Sequence, residues 1–309
     1  MNSYSTIIRS PDFDAFREWE LAHGIEADRR QLSRGRAIFE AGFAAFGTAL
    51  VLRYREAQRW LTEYALPKGV VEISLGRYAE PPNWCAVEIP AAFAAIQLGG
   101  RDYRAVMPGG EAYCILIPNS MVEDWGLVPE EILGRAESPR QAAAPISVAV
   151  WHRITSIVDA WMEREATPHA DSLAQEAILG GCKALVDACF SNHMKRPAVP
   201  KAGLVDDARD LISSRLTTSL TVGEIAGDLA VSRRVLERAF RQYLGMTPYQ
   251  YLIVERLHAA RSILKRREHT VLETCAASGF QDASRFSGMY ARHFGESPSE
   301  TLGRRGPTA

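Results

Sequence analysis

Five charged residues fall within nine positions of this chain: Arg233, Arg234, Glu237, Arg238 and Arg241. Between them, Val235, Leu236, Ala239, Phe240 and Tyr243 recur at three- and four-residue spacing, the period of a helix that buries one face. The charged side chains are left on the outer face, and Ser232 stands where a side-chain oxygen caps the first turn. A guanidinium carries a rigid fork of N–H donors that fits the acceptor edge of guanine or a pair of phosphate oxygens. A helix armed in this way is suited to a DNA major groove.

The segment around that helix is written twice. Residues 221–252 read TVGEIAGDLAVSRRVLERAFRQYLGMTPYQYL and residues 270–302 read TVLETCAASGFQDASRFSGMYARHFGESPSETL. The offset is 49 at Thr221/Thr270 and 50 at Gly245/Gly295, so the second copy has one extra residue in its turn. Each copy opens on a capping box, Thr221 with Glu224 and Thr270 with Glu273, in which threonine and glutamate satisfy each other's backbone donors. Each closes on a glycine followed by Thr or Ser and then proline, which stops one helix and starts the next. Every copy thus reads as a helix-turn-helix, the second capped by Asp282 and packed through Val271, Phe280, Phe286, Tyr290 and Phe294. The spacing predicts a connecting helix from Pro248 to Lys265, about 27 Å long at 1.5 Å per residue. That length would let two recognition helices enter major-groove segments recurring every ~34 Å along one face of the duplex.

Ile225-Ala226, the run from Ser232 to Arg241, Gly245 to Leu252, Arg256-Leu257, Ala260-Arg261 and Gly279-Phe280 together resemble the AraC/XylS family of bacterial transcription regulators. The resemblance covers about residues 205–305. It implies a DNA-binding surface of Ser232, Arg233, Arg234, Glu237, Arg238 and Arg241 in the first copy, with base reading on Arg234, Glu237 and Arg238. In the second copy it implies Ala283, Ser284, Arg285, Ser287 and Arg292, with base-reading positions at Ala283, Ser284, Ser287 and Gly288. The family often has arginine where this chain has Gly288, and Tyr-Arg where it has Thr301-Leu302. Ala283 and Gly288 offer no side-chain hydrogen bond. The expectation is that the first copy specifies sequence while the second anchors phosphates through Arg285 and Arg292. The resemblance further implies double-stranded DNA, a small-molecule effector, a homodimer and RNA polymerase as partners; an activator is expected ahead of a repressor, although the sequence does not separate the two.

The remainder of the chain must position and control that module. Apolar residues make up 47% and charged residues 24% of 309, within the ordinary globular range, so a fibrous or disordered chain is excluded. Residues 1–200 carry 20 basic against 25 acidic side chains and residues 201–309 carry 16 against 12, an acidic part followed by a basic one. With no secretory signal pattern and no long apolar run, a cytoplasmic protein without a membrane span is expected.

Short apolar runs between turn signals fill residues 36–121: 49–54, 59–66, 70–75, 84–89, 94–98 and 112–117. They predict a small barrel or sandwich, in size and order like the cupin-like sensor domain that accompanies this DNA module in the family. Ile146, Val150, Ile154, Ile157 and Trp161 predict one helix. Leu173, Ala177, Gly181, Ala184 and Ala188 predict a second. The pair either covers the sheet or also forms a dimer seam. Asn192–Gly203, with two prolines and three basic residues, reads as a linker. The expected fold is α+β: residues 1–145 a β-rich cupin-like sensing domain, 146–191 a helical pair, 192–204 a linker and 205–309 an all-α double helix-turn-helix.

An effector would sit in the β domain, with Tyr54, Trp60, Tyr64, Trp84, Phe93 and Tyr103 as its aromatic contacts and Arg53 and Arg77 receiving an anion. Cofactors and metals are not expected. One histidine, His23, precedes Trp151, too few for a cupin metal centre. The five cysteines lack zinc spacing and read as structural. No nucleophile elbow or phosphate-binding glycine loop is present, so catalysis is not expected. The competing class is an enzyme or sensor whose C-terminal repeat is a protein-interaction bundle.

Overall fold

A computed structural model describes residues 4–10, 13–22, 25–46, 49–126, 141–163, 168–191 and 201–303. Its contacts divide the chain into two units. One holds Met1–Asp28, Ile38–Ala57 and Thr62–Pro197; the other holds Arg29–Ala37, Gln58–Leu61 and Ala198–Ala309. The first part of the chain is β-rich and the last part helical, an α+β protein.

Twelve strands among the described residues form two antiparallel sheets, with no closure into a single barrel. The larger has the order β1 (Tyr4–Ser10), β3 (Phe39–Phe46), β4 (Ala49–Glu56), β11 (Gly110–Pro118), β6 (Val70–Tyr78), β9 (Ala92–Leu98) and β12 (Gln141–Pro145). The smaller runs β2 (Ala27–Gln31), β5 (Trp60–Ala65), β10 (Asp102–Met107), β7 (Asn83–Trp84) and β8 (Val87–Glu88). β1, β2, β3, β10 and β12 add to the runs expected from sequence, and the expected strand 84–89 is instead the β7–β8 hairpin. Its two turn residues, Cys85 and Ala86, both have positive φ, 49° and 64°.

The larger sheet is buried on both faces. On one, Val51, Val71, Ile73, Leu75, Ile96 and Ile115 pack beneath α3 (Val148–Met162) and α4 (Pro168–Ser191), meeting Trp151, Ile154, Val158, Trp161, Cys182 and Leu185. On the other, Tyr78, Phe93 and Ala112 meet Trp84, Ile89 and Ala105, while Phe43, Leu52 and Leu116 meet Tyr103. Period-two side-chain alternation gives each strand two apolar faces to bury. The helical pair covers the sheet. The buried side of α4 is Ile178, Cys182 and Leu185 rather than the expected small-residue side, where Ala177 and Ala184 are exposed. The larger side chains turn inward because they remove more apolar area from water. The side chains of Leu173, Ala188 and Cys189, His23 and most of the expected linker, 192–200, lie outside the described residues. Two shorter helices, α1 (Phe13–Ala22) and α2 (Asn119–Glu123), complete this part of the chain.

The last part folds as α5 (Ala202–Ser214), α6 (Val222–Asp228), α7 (Arg233–Leu244), α8 (Pro248–Arg266), α9 (Val271–Ala277), α10 (Ala283–Phe294) and α11 (Pro298–Gly303). Helices α6 and α7 are the first helix-turn-helix, α9 and α10 the second, and α8 is the connector. Leu257, Ala260 and Leu264 of α8 form a core with Cys275, Phe286, Tyr290 and Phe294 of the second motif. Among the described residues no helix is long and apolar enough to cross a membrane.

Candidate nucleic-acid interface

The start of each helix is set locally. Thr221 accepts from the Glu224 N–H at 3.2 Å while the Glu224 carboxylate accepts from the Thr221 N–H at 2.8 Å. Thr270 and Glu273 repeat this at 3.2 and 2.7 Å, and Thr247–Gln250 and Ser297–Glu300 do the same at α8 and α11. Those hydrogen bonds hold the Glu224 and Glu273 carboxyls below the usual carboxylate range. Ser232 caps α7 through the Val235 N–H, and Asp282 caps α10 through the Arg285 N–H. Gly245 and Gly295 end the two recognition helices at φ 75° and 70°, where a side chain would be strained.

Between the paired helices the chain needs a left-handed residue in each copy: Ala230 at φ 52° and Gly279 at φ 81°. The next N–H closes the turn alike, Val231 onto Ala226 at 2.9 Å and Phe280 onto Cys275 at 3.0 Å. The extra residue of the second copy therefore falls after Phe280, inside the turn, and both recognition helices keep 12 residues.

The two recognition helices present different chemistry. On α7, Leu236, Ala239, Phe240 and Tyr243 are buried, while Ser232, Arg233, Arg234, Arg238 and Arg241 are exposed. Glu237 is half-buried and lies between two of the arginines, its carboxylate 2.9 Å from Arg233 Nε and 3.8 Å from an Arg241 terminal nitrogen. Arg234 and Arg238 face solvent beside this trio. Four arginines against one glutamate leave the helix strongly basic. On α10, Ser284, Arg285 and Arg292 are exposed, Ala283 and Gly288 are half-buried, and the Ser287 hydroxyl donates back to the Ala283 carbonyl at 2.8 Å. A serine so engaged has its donor already committed.

Two arginines that match the family pattern hold the scaffold rather than its surface. Arg256 on α8 donates to the carbonyls of Leu216 and Thr218, and Arg261 pairs with Glu296 at 3.1 Å while lying 4.5 Å above the Phe294 ring. Thr301, where the family usually has tyrosine, is buried and bonds to the Tyr290 hydroxyl and Glu296, both at 2.8 Å.

In the β-rich part, the expected effector contacts separate by face. Tyr64 and Tyr103 stack with centroids 5.5 Å apart, and Trp84 meets Phe93 edge-on at 5.6 Å, all between the two sheets. Tyr54 lies against Phe16 of α1, and Trp60 is buried. Arg53 and Arg77 are not with them. Both share the parity of Val51 and Val71 and so lie on the helix-covered side of the sheet. Arg53 is fully buried there, bonded to Glu40 at 2.6 Å and to Asp159 of α3 at 2.7 Å; Arg77 is exposed. Arg55 joins the same network through Glu40, Glu111 and Asp159. What the aromatic pattern did not reveal is a polar set between the sheets: Glu72, Ser74, Gln97 and Cys114. A polar residue on a strand ordinarily reads as facing water, and only the second sheet shows that these do not.

Residues 225–304 match the family model described as a helix-turn-helix domain. Over 95 residues the chain is 38% identical to the HTH-type transcriptional regulator ArgR of Pseudomonas aeruginosa, covering 31% of this chain and 29% of that protein. It is 40% identical over 76 residues to the HTH-type transcriptional activator RhaS of Escherichia fergusonii, covering 25% and 27%. It is 31% identical over 150 residues to the regulator CdhR of P. aeruginosa, covering 47% and 44%. The chain thus spans less than half the length of these relatives. Among solved structures, the AraC-like transcriptional activator CuxR is similar at 19% identity and a TM-score of 0.42, covering 83% of this chain and 95% of that one. An AraC-type regulator from Chromobacterium violaceum is similar at 34% identity and a TM-score of 0.32, covering 32% and 89%.

Proposed function

The C-terminal domain of this chain is an AraC/XylS-type double helix-turn-helix, the DNA-binding part of a transcriptional regulator, and from that premise we propose that the whole chain is an effector-responsive activator acting as a homodimer. The observation that carries the DNA-reading part of this proposal is the outer face of α7, where Arg234 and Arg238 stand exposed beside the Arg233–Glu237–Arg241 trio. In this reading Arg234 and Arg238 take base edges in one major groove, with Glu237 within reach of a base amino group. Ser232 and the flanking arginines hold phosphates. Helix α10 then anchors the second site through Arg285 and Arg292, since Ala283, Ser287 and Gly288 have little to offer a base. The β-rich part receives a small molecule between its sheets and the dimer brings RNA polymerase to the promoter.

Selection of binding sites from randomised duplexes, followed by band shifts at several salt concentrations, tests the reading. One strongly informative half-site and one weak one are expected. Arg238→Ala should cost about 1–3 kcal/mol and relax preference at one position, whereas Arg292→Ala should weaken all sequences alike. Two equally informative half-sites would overturn the division of labour between the helices.

A further inference from the structure

Glu72 lies on the inner face of β6, between the two sheets, and is only 4% exposed. Ser74 donates to its carboxylate at 2.5 Å. With the Gln97 amide turned so that both its ends find partners, its nitrogen donates to Glu72 at 2.8 Å. Its oxygen accepts from the Tyr64 hydroxyl at 2.8 Å and from Trp84 Nε1 at 3.3 Å. Polar side chains from β5, β6, β7 and β9, in both sheets, therefore form one network that ends on the Glu72 carboxyl. Apolar residues of similar volume would hold two sheets together at least as well, so packing alone does not account for the set.

The charges on either side of the sheet fix what this interior suits. Arg53 and Arg77 are behind the sheet, and Arg104, on the outer side of β10, is paired with Glu63. An anion entering between the sheets would face Glu72, and the basic group that reaches this region, Arg101, acts on Tyr103 rather than on Glu72. An ammonium or amidinium group would face a carboxylate and the rings of Tyr64, Trp84, Phe93 and Tyr103, whose faces attract cations. We propose that the sandwich interior is a binding site for a small organic cation bearing an amine or amidine, with Glu72 as its counter-charge. This rests on the effector-sensing reading above and reverses the charge that Arg53 and Arg77 suggested from sequence.

Binding would depend on pH. Burial raises the Glu72 carboxyl above its usual range, opposed by hydrogen bonds from Ser74 and Cys114; Tyr64 on β5, Tyr103 on β10 and Cys85 in the hairpin are the other titratable groups nearby, with Arg101 acting on Tyr103. Protonating Glu72 removes the counter-charge, and burial makes that protonation easier, so affinity should fall as the pH is lowered.

The test uses the full chain with agmatine and cadaverine as cationic probes and benzoate and citrate as anionic ones. Millimolar cation should raise the melting temperature by several degrees, and by less as the pH is lowered. Glu72→Gln, which keeps size and removes the charge, should weaken binding at least tenfold. If that variant does not fold, Trp84→Phe, which removes the indole donor to Gln97, should weaken it several-fold. Stabilisation by the anions alone, an unchanged cation response in Glu72→Gln, or a folded wild type indifferent to both cations would each overturn the proposal. DNA binding measured on the same preparation separates this outcome from failure of the regulator reading.

Discussion

Arg256 of the connecting helix donates to the Leu216 carbonyl at 3.0 Å and to the Thr218 carbonyl at 2.6 Å, and so clips the loop after α5 to the helix shared by both motifs. Gly279, in the turn of the second motif, leans on the same loop: a Cβ there would stand 2.8 Å from the Leu216 oxygen. The connecting helix and the second motif thus meet at the Leu216 carbonyl. Arg256→Ala removes the side-chain donor from the Leu216 and Thr218 carbonyls, leaving the Thr218 carbonyl with the Leu220 N–H at 2.7 Å, and Gly279→Ala adds a clash at φ 81°. Each should cost about 2–3 kcal/mol, seen as an earlier urea midpoint. A wild-type midpoint in Arg256→Ala would show that the clip adds no stability.

Ala230 occupies in the first motif the left-handed position that Gly279 holds in the second. An L-residue with a Cβ is disfavoured there by about 1–2 kcal/mol, partly offset by the greater chain entropy that glycine loses on folding. Ala230→Gly should therefore stabilise the chain by roughly 0.5–1 kcal/mol. Thermal melts of the two proteins under identical conditions decide it, and a lower melting temperature in the variant would contradict the account.

The repeat was legible because its determinants are local. Capping boxes, the terminal glycines and the apolar stripes of α7 and α10 each lie within a dozen residues, and the spacing predicted the connecting helix to within one residue of Pro248–Arg266. The β-rich part was harder to read. Strands β6 and β9 are buried along nearly their whole length because helices cover one face of their sheet and strands the other, so the alternation that marks a half-exposed strand is lost. The same fact hides the surroundings of Arg53. Its neighbours Val51 and Arg55 fix which side it takes, but nothing local tells which side meets helices. Glu72 and Gln97 were passed over for the converse reason: their burial is created by a sheet remote in sequence.

Gly288 sits mid-helix in α10, and a Cβ there would come no closer than 3.7 Å to the Arg292 guanidinium. Gly288→Ala should stabilise the chain by about 0.5–1 kcal/mol, with DNA affinity unchanged. Gly288→Arg should instead tighten DNA binding several-fold and steepen its salt dependence by about one counterion. If the arginine variant binds no better, the face of α10 that carries residue 288 does not meet DNA.

His258 and His293 both bond through Nε2 to the Gln31 carbonyl, at 3.2 and 3.1 Å, in the same compact unit. Burial holds the His258 imidazole well below its usual range and brings His293 down to about 4. Between pH 6.5 and 4 the unfolded chain carries a proton on His293 that the folded chain lacks, so acid favours unfolding. Stability should be full above pH 6.5 and fall by roughly 3 kcal/mol toward pH 4 from this group alone. His293→Gln should flatten that slope. An equally steep fall in the variant would place the acid sensitivity elsewhere.

The larger sheet works as a partition with furniture against both walls. Glu72 and Ile73 are consecutive residues, yet one belongs to the interior beneath the smaller sheet and the other to the cluster under α3. A molecule that pries the strands from one side must shift the ground on which α3 rests, with no hinge or long relay between them. In such a design the two environments are separated by the thickness of a single strand.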